Sequence, residues 1–257
     1  MFIKHAGLVL NPLIKPTTPL SKRAPVGSLN YDTVVYPLSQ FTPLLRPDTS
    51  TEHPGLTTIL KALAADDCAA SKWMFTAGYF NIHPDLKALL LASKSHSGTV
   101  ITASPWANGF YGSKGVSGLL PPAYTLLSRR FLENVYRANR SSQISLKEWR
   151  RGTVGEPSGW TYHAKGLWVT LPNEPYPSIT LIGSSNYTKR SYSLDLEVNT
   201  LVMTKDKGLK RRLGEEQEWL LEWAREMTLD DFMRVERRVG VGVRVAMGIV
   251  GLVGGAL

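Results

Sequence analysis

Cysteine is nearly absent from this chain: Cys68 is the only one in 257 residues. A single thiol excludes an intrachain disulfide framework and a cysteine-built zinc cluster, and it fits a reducing compartment. Histidine is scarce as well. His5, His53, His83, His96 and His163 include no pair at metal-ligand spacing, so neither a metal nor another cofactor is expected. Carboxylates are missing from the start of the chain, where Lys4, Lys15, Lys22 and Arg23 precede the first acid, Asp32. That stretch fits a mitochondrial transit peptide or a plain basic tail, and its prolines oppose a continuous amphipathic helix. Long apolar runs are lacking too. Residues 239 to 257 are apolar and glycine-rich, but Arg244 interrupts them, and the apolar run after it is shorter than the roughly 20 residues of a membrane span.

What the chain does hold is a core and a charge. It is 43% hydrophobic, long enough to bury a sizeable interior, and carries 30 Lys+Arg against 21 Asp+Glu. A basic surface attracts phosphate-bearing partners: nucleic acid, nucleotides or anionic lipid head groups.

Residues 16 to 48 are rich in turn formers and predict an irregular lead-in with one short strand at 34 to 37. Leu56, Ile59, Leu60 and Leu63 fall at helical spacing. K-W-M-F-T-A-G-Y-F at 72 to 80 predicts a strand, the stretch after Pro84 a helix, and T-V-I-T-A-S at 99 to 104 a second strand. This alternation indicates an α/β fold with a mixed sheet flanked by helices. Residues 105 to 122, with Gly109, Gly112, Gly115 and Gly118, form a long loop whose N–H groups and Lys114 could meet an anion, although no dinucleotide or P-loop glycine pattern is present. A helix over 123 to 139 and a strand near Ile144 come next. Strands are expected at 160 to 171, 178 to 183 and 196 to 204, then a charged helix over 205 to 227 covering the sheet. The chain divides into an irregular leader (1–31), a folded unit (32–235) and an apolar tail (236–257).

The chemistry concentrates in the second half. In a strand, side chains two apart share a face, so His163 and Lys165 of W-T-Y-H-A-K-G-L-W project together. A histidine can pass a proton or attack phosphorus, and a neighbouring lysine supplies fixed charge for phosphoryl oxygens. Gly183-Ser184-Ser185-Asn186 ends the next strand and offers an amide and two hydroxyls. Glu197 follows in D-L-E-V-N, where its carboxylate could hold an imidazole in one tautomer.

H-x-K followed by G-S-x-N resembles the signature of the phospholipase D superfamily. The superfamily motif usually has aspartate five residues after the lysine; Thr170 stands there. With H-A-K-G-L-W, L-I-G-S-S-N and D-L-E, the chain resembles one branch, the eukaryotic phosphatidylglycerophosphate synthases. T-A-G-Y-F-N at 76 to 81, A-S-P-W-A-N-G-F-Y-G-S-K-G-V-S-G at 103 to 118, P-P-A-Y at 121 to 124 and E-W-R-R-G at 148 to 152 carry the same resemblance. It implies a phospholipase D-like half-domain, one of two that face each other and contribute an H-x-K each. Only one H-x-K is present here, so the resemblance is to the C-terminal half.

The implied reaction transfers phosphatidyl from CDP-diacylglycerol to glycerol 3-phosphate through a phosphohistidine, in mitochondria, at the inner membrane. By resemblance His163 is the acid/base, Lys165 and Asn186 hold phosphate oxygens and Glu197 orients a histidine. Ser184, Ser185, Lys114, Lys189 and Arg190 are further candidates for substrate contact. The implied partners are the two substrates, an anionic membrane surface and a second H-x-K half, with no nucleic acid. A homodimeric single-motif phosphodiesterase or nuclease, and an inactive membrane-surface fragment, remain alternative readings.

Overall fold

The computed structural model describes Leu8 and residues 31–252. Leu8 and Tyr31 apart, the basic leader read over 1–31 lies outside the described residues, as does the end of the apolar tail past 252. The element order is β1 (Thr33–Gln40), α1 (Glu52–Ala62), β2 (Lys72–Ala77), α2 (Pro84–Ala92), β3 (Ser97–Ala103), α3 (Leu120–Arg137) and β4 (Ile144–Trp149). Then come β5 (Lys165–Thr170), β6 (Ile179–Gly183), α4 (Lys189–Ser193), β7 (Glu197–Thr204), α5 (Lys207–Leu221), β8 (Ala224–Glu226) and α6 (Val241–Leu252). The strands form one mixed sheet in the order β1-β7-β6-β5-β2-β3-β4-β8. β2, β3 and β4 are parallel neighbours, while the β2–β5, β5–β6, β6–β7 and β7–β1 pairs are antiparallel.

Alternation along β2 explains the layering. Phe75 points into the larger core with Leu56 and Leu60 of α1, Leu86 and Leu90 of α2, and Phe131 of α3. Met74 points the other way, with Ile101, Trp149, Trp168 and Leu213 and Leu220 of α5. The sheet is therefore covered on both faces. The helix ends follow local chemistry: Pro84 opens α2, where its missing N–H costs nothing, and the Asp206 carboxylate accepts from Leu209 N at the start of α5.

Three expectations change. The strand foreseen at 34 to 37 runs over eight residues, and its Pro37 is tolerated because β1 is an edge strand. The strand foreseen at 160 to 171 begins only at Lys165, because Tyr162 N donates to Ala107 O rather than to a sheet neighbour. The helix foreseen to 227 stops at Leu221, and β8 turns back to pair with the outer edge of β4, which would otherwise present unpaired peptide groups.

The chain beyond 236 is tied to this body. Arg237 forms an ion pair with Glu148 of β4 at 2.6 Å, and the two side chains are 9% and 3% exposed. α6 then packs Val243 and Met247 against Ala123 of α3. No described helix is long and apolar enough to cross a membrane.

The buried pair yields a test. Arg237→Ala strands the Glu148 carboxylate without its cation, and urea unfolding should show a loss of about 3 kcal/mol. The combined Arg237→Met, Glu148→Leu variant should recover most of that loss.

Candidate active site

Strands of opposite direction meet at one rim of the sheet. Ala77 at the end of β2 faces Lys165 at the start of β5; Gly166 faces Ile182 near the end of β6; Gly183 faces Asn199 near the start of β7. The antiparallel register thus gathers H-A-K, G-S-S-N and Glu197 at the carboxyl ends of β2, β3 and β4, the usual place for a ligand in such sheets.

Gly78 sets the position of the histidine. A Cβ there would lie 2.7 Å from Tyr162 O and 3.1 Å from His163 Cα, and Gly78 N donates to Ala164 O at 3.1 Å. His163 therefore sits in the irregular approach to β5, not within the strand, and the shared face expected of His163 and Lys165 does not come from strand alternation. Instead the Lys165 ammonium folds back and donates to His163 O at 3.2 Å. The imidazole lies edge-on to Tyr79, with ring centroids 5.0 Å apart, and Tyr79 stacks on Tyr124 at 5.4 Å.

Electrostatics prepare the pair. Burial, then the Lys165 charge, holds His163 below the ordinary histidine value, which favours the neutral, proton-accepting ring at pH 7. Burial also lowers Lys165, against the pull of Glu197. Burial raises Glu197, whose carboxylate accepts from Ser184 Oγ. Glu197 thus interacts with Ser184 and Lys165. Arg190 belongs to the same field: it pairs with Asp195 at 3.0 Å and its charge acts on both Glu197 and Tyr124.

Ser184 is exposed on the rim, and Asn186 beside it has a buried Oδ1 that finds no hydrogen-bond partner among the described residues. Ser185 departs from the expected substrate contact: it is fully buried, its Oγ accepts from Tyr187 N, and it supports the turn from below. Lys114 is exposed in the glycine loop, and Lys189 acts on His83. The histidine spacing was also misleading. His53 and His83 have ring centroids 5.3 Å apart, and with Asp85 they offer ligand atoms within 4.8 Å of one another.

Among curated proteins, the CDP-diacylglycerol–glycerol-3-phosphate 3-phosphatidyltransferase of Saccharomyces cerevisiae is 47% identical over 259 residues, covering 98% of this chain and 49% of that protein. The chain is a homologue of these phosphatidyltransferases. The mitochondrial protein of that name from Homo sapiens is 33% identical over 221 residues, covering 85% of this chain and 37% of its own length. The phosphatidyltransferase homologue thus spans about half the length of the curated relatives it matches. Among solved structures, phosphatidylserine synthase from Haemophilus influenzae shares the fold, with a TM-score of 0.63 at 20% identity over 86% of this chain and 46% of that one. No family model matches the chain.

Three further side chains at the homologue's rim have no sequence signal of their own. Tyr79 and Tyr124 lay within the blocks T-A-G-Y-F-N and P-P-A-Y but carried no chemical role there. Glu52 gave no signal, since an acid at a helix start is ordinary. It is wholly buried beneath G-S-S-N, accepts from Tyr192 Oη at 2.9 Å and faces Ser185 and Asn199. Burial pushes its pKa up to about 7, opposed by the Ser185 and Tyr192 hydrogen bonds and aided by Glu197.

A carboxyl raised on folding makes the folded state bind more protons between the two pKa values, so its stabilisation is present at low pH and lost as pH rises. Urea unfolding of the wild type should therefore lose stability relative to Glu52→Gln as pH rises from 4.5 to about 7. A pH-independent difference between the two would show that Glu52 is not protonated in the fold.

Proposed function

We propose that the chain supplies one half-site for phosphatidyl transfer from CDP-diacylglycerol to glycerol 3-phosphate. The observation that carries this is the gathering of His163, Lys165, the Ser184–Asn186 turn and Glu197 on one sheet rim, in a chain homologous to phosphatidyltransferases. The phospholipase D resemblance of H-x-K and G-S-x-N supports the same chemistry.

A nucleophilic histidine from a second H-x-K attacks the phosphorus of CDP-diacylglycerol. The phosphorus–oxygen bond to CMP breaks as the N–P bond forms, and His163, carrying the proton, donates it to the departing CMP oxygen. His163, now neutral, takes the proton from the hydroxyl of glycerol 3-phosphate, whose oxygen displaces the histidine and yields phosphatidylglycerophosphate. A histidine held below its ordinary value suits the second step. Lys165 and the Asn186 amide stabilise the phosphoryl oxygens, with Ser184 and Arg190 at the margin. Glu197, held by Ser184 Oγ, orients the incoming histidine.

That histidine comes from outside this H-x-K, and the rim offers a place for its carrier. Leu194, Leu196 and Val198, beside Ser184 and Glu197, are 65, 51 and 53% exposed, an apolar margin suited to a second half-domain. The mitochondrial names among the relatives favour that compartment.

The transfer assay decides. The purified chain, shown to be monomeric by sedimentation, should convert no CDP-diacylglycerol, and turnover by the monomer would overturn the half-site reading. In a full-length relative, alanine at the histidine aligned with His163 should abolish transfer with the fold intact by circular dichroism. Wild-type turnover there would remove His163 from the reaction.

A further inference from the structure

We propose that the corner built from α6, the turn before it and the glycine loop is the face on which the domain lies against an anionic lipid bilayer. This deepens the phosphatidyl-transfer reading, and rests on it in that a lipid substrate is presented at such a surface.

The first observation is an apolar helix with two apolar sides. α6 buries Val243 and Met247 against Ala123 of α3. At about 100° per residue, positions two apart lie on opposite sides, and Val241, Val245 and Ile249 are accordingly 77, 56 and 56% exposed. Met233 and Val235, in the turn ahead, are 62 and 69% exposed. A contiguous apolar face of this kind on a soluble domain marks an interaction surface.

The second is its charge. From Met233 to Ile249 the chain carries Arg234, Arg237, Arg238 and Arg244 against Glu236 alone. Arg237 is spent on Glu148, and Arg234 pairs with Asp231. Arg238 and Arg244 are exposed and have no ion-pair partner among the described residues. Arg244 also donates through Nε to Val239 O at 3.1 Å, and apolar side chains interleaved with arginines that lack an acidic partner match a bilayer with anionic head groups. At 12 residues α6 is too short to span and of a length to lie flat in the interface.

The third is continuity with the catalytic rim. A cavity of about 410 Å³ joins Tyr111 and Ser113 of the glycine loop to Arg238. The loop itself exposes Val116 and Leu119, at 82 and 42%. Its first glycine packs on the histidine's neighbour: a Cβ at Gly109 would lie 2.9 Å from Tyr79 Oη. One loop therefore links the apolar corner to the ring beside His163.

Co-sedimentation of the full chain with vesicles tests this without substrate or turnover, so its failure leaves the transfer proposal standing. Wild type should pellet with vesicles of equal phosphatidylcholine and phosphatidylglycerol and remain in solution with phosphatidylcholine alone. Arg238→Gln with Arg244→Gln should weaken anionic-vesicle binding about 25-fold, each charge counting roughly fivefold. Val245→Asp with Ile249→Asp should reduce binding at least as much, with an unchanged thermal midpoint because both side chains point outward. Undiminished binding in either double variant overturns the proposal. So does a wild-type dimer that Val245→Asp converts to monomer, since the stripe would then be covered by a second copy.

Discussion

The site depends on one close backbone approach, that of residues 162–164 to Gly78. β2 and β5 pair for only as long as both remain extended, and beyond Ala77 and Lys165 the two chains would ordinarily separate. Gly78 keeps them together: its missing side chain admits Tyr162 O, and its N–H secures Ala164 O. His163 is thereby anchored by peptide groups on both sides while its ring projects from the sheet rim. A side chain held this way owes its position to the scaffold, which is where precision in a site originates. Gly183 does the same across the sheet, where a Cβ would lie 1.9 Å from Asn199 Oδ1. The two glycines follow β2 and end β6, the strands on either side of β5.

Beneath that rim the protein keeps polar groups that an ordinary core would exclude. Glu52 and Asn199 are all but inaccessible, and both side-chain polar atoms of Asn199 lack hydrogen-bond partners of good geometry among the described residues. Buried polar groups left incomplete are costly. A protonated Glu52 lessens the cost, since it removes a second negative charge near Glu197 and leaves Tyr192 and Ser185 to fix its orientation. The G-S-S-N turn rests on this layer through Ser185, so the exposed serine and the buried one have separate tasks.

Much of this was legible from the residues, and the misses share a cause. The mixed α/β architecture followed from apolar periodicity, which records burial along a single element. His163, Lys165 and Glu197 could be singled out as candidates because H-x-K, G-S-x-N and D-L-E are local patterns. What depended on contacts between distant segments could not. Nothing near Ser185 announces that Glu52, from the far end of the folded unit, lies beneath it. The start of β5 is fixed by Ala107 and Gly78, and the end of α5 by the bare edge of β4. His53 and His83 adjoin because α1 and α2 pack on one sheet face, which no interval in the sequence encodes.

Glu197 shows most plainly how burial and charge meet at this rim: its carboxylate accepts from Ser184 Oγ and its charge acts on Lys165. Held above the ordinary carboxylate value by burial, it is ready to be stabilised by a cationic or N–H donor brought into the cleft. Lys165, depressed by burial, is short of negative charge in the same way. A phosphate oxygen brought to Lys165, or a cationic group brought to Glu197, would move each back toward its ordinary ionisation.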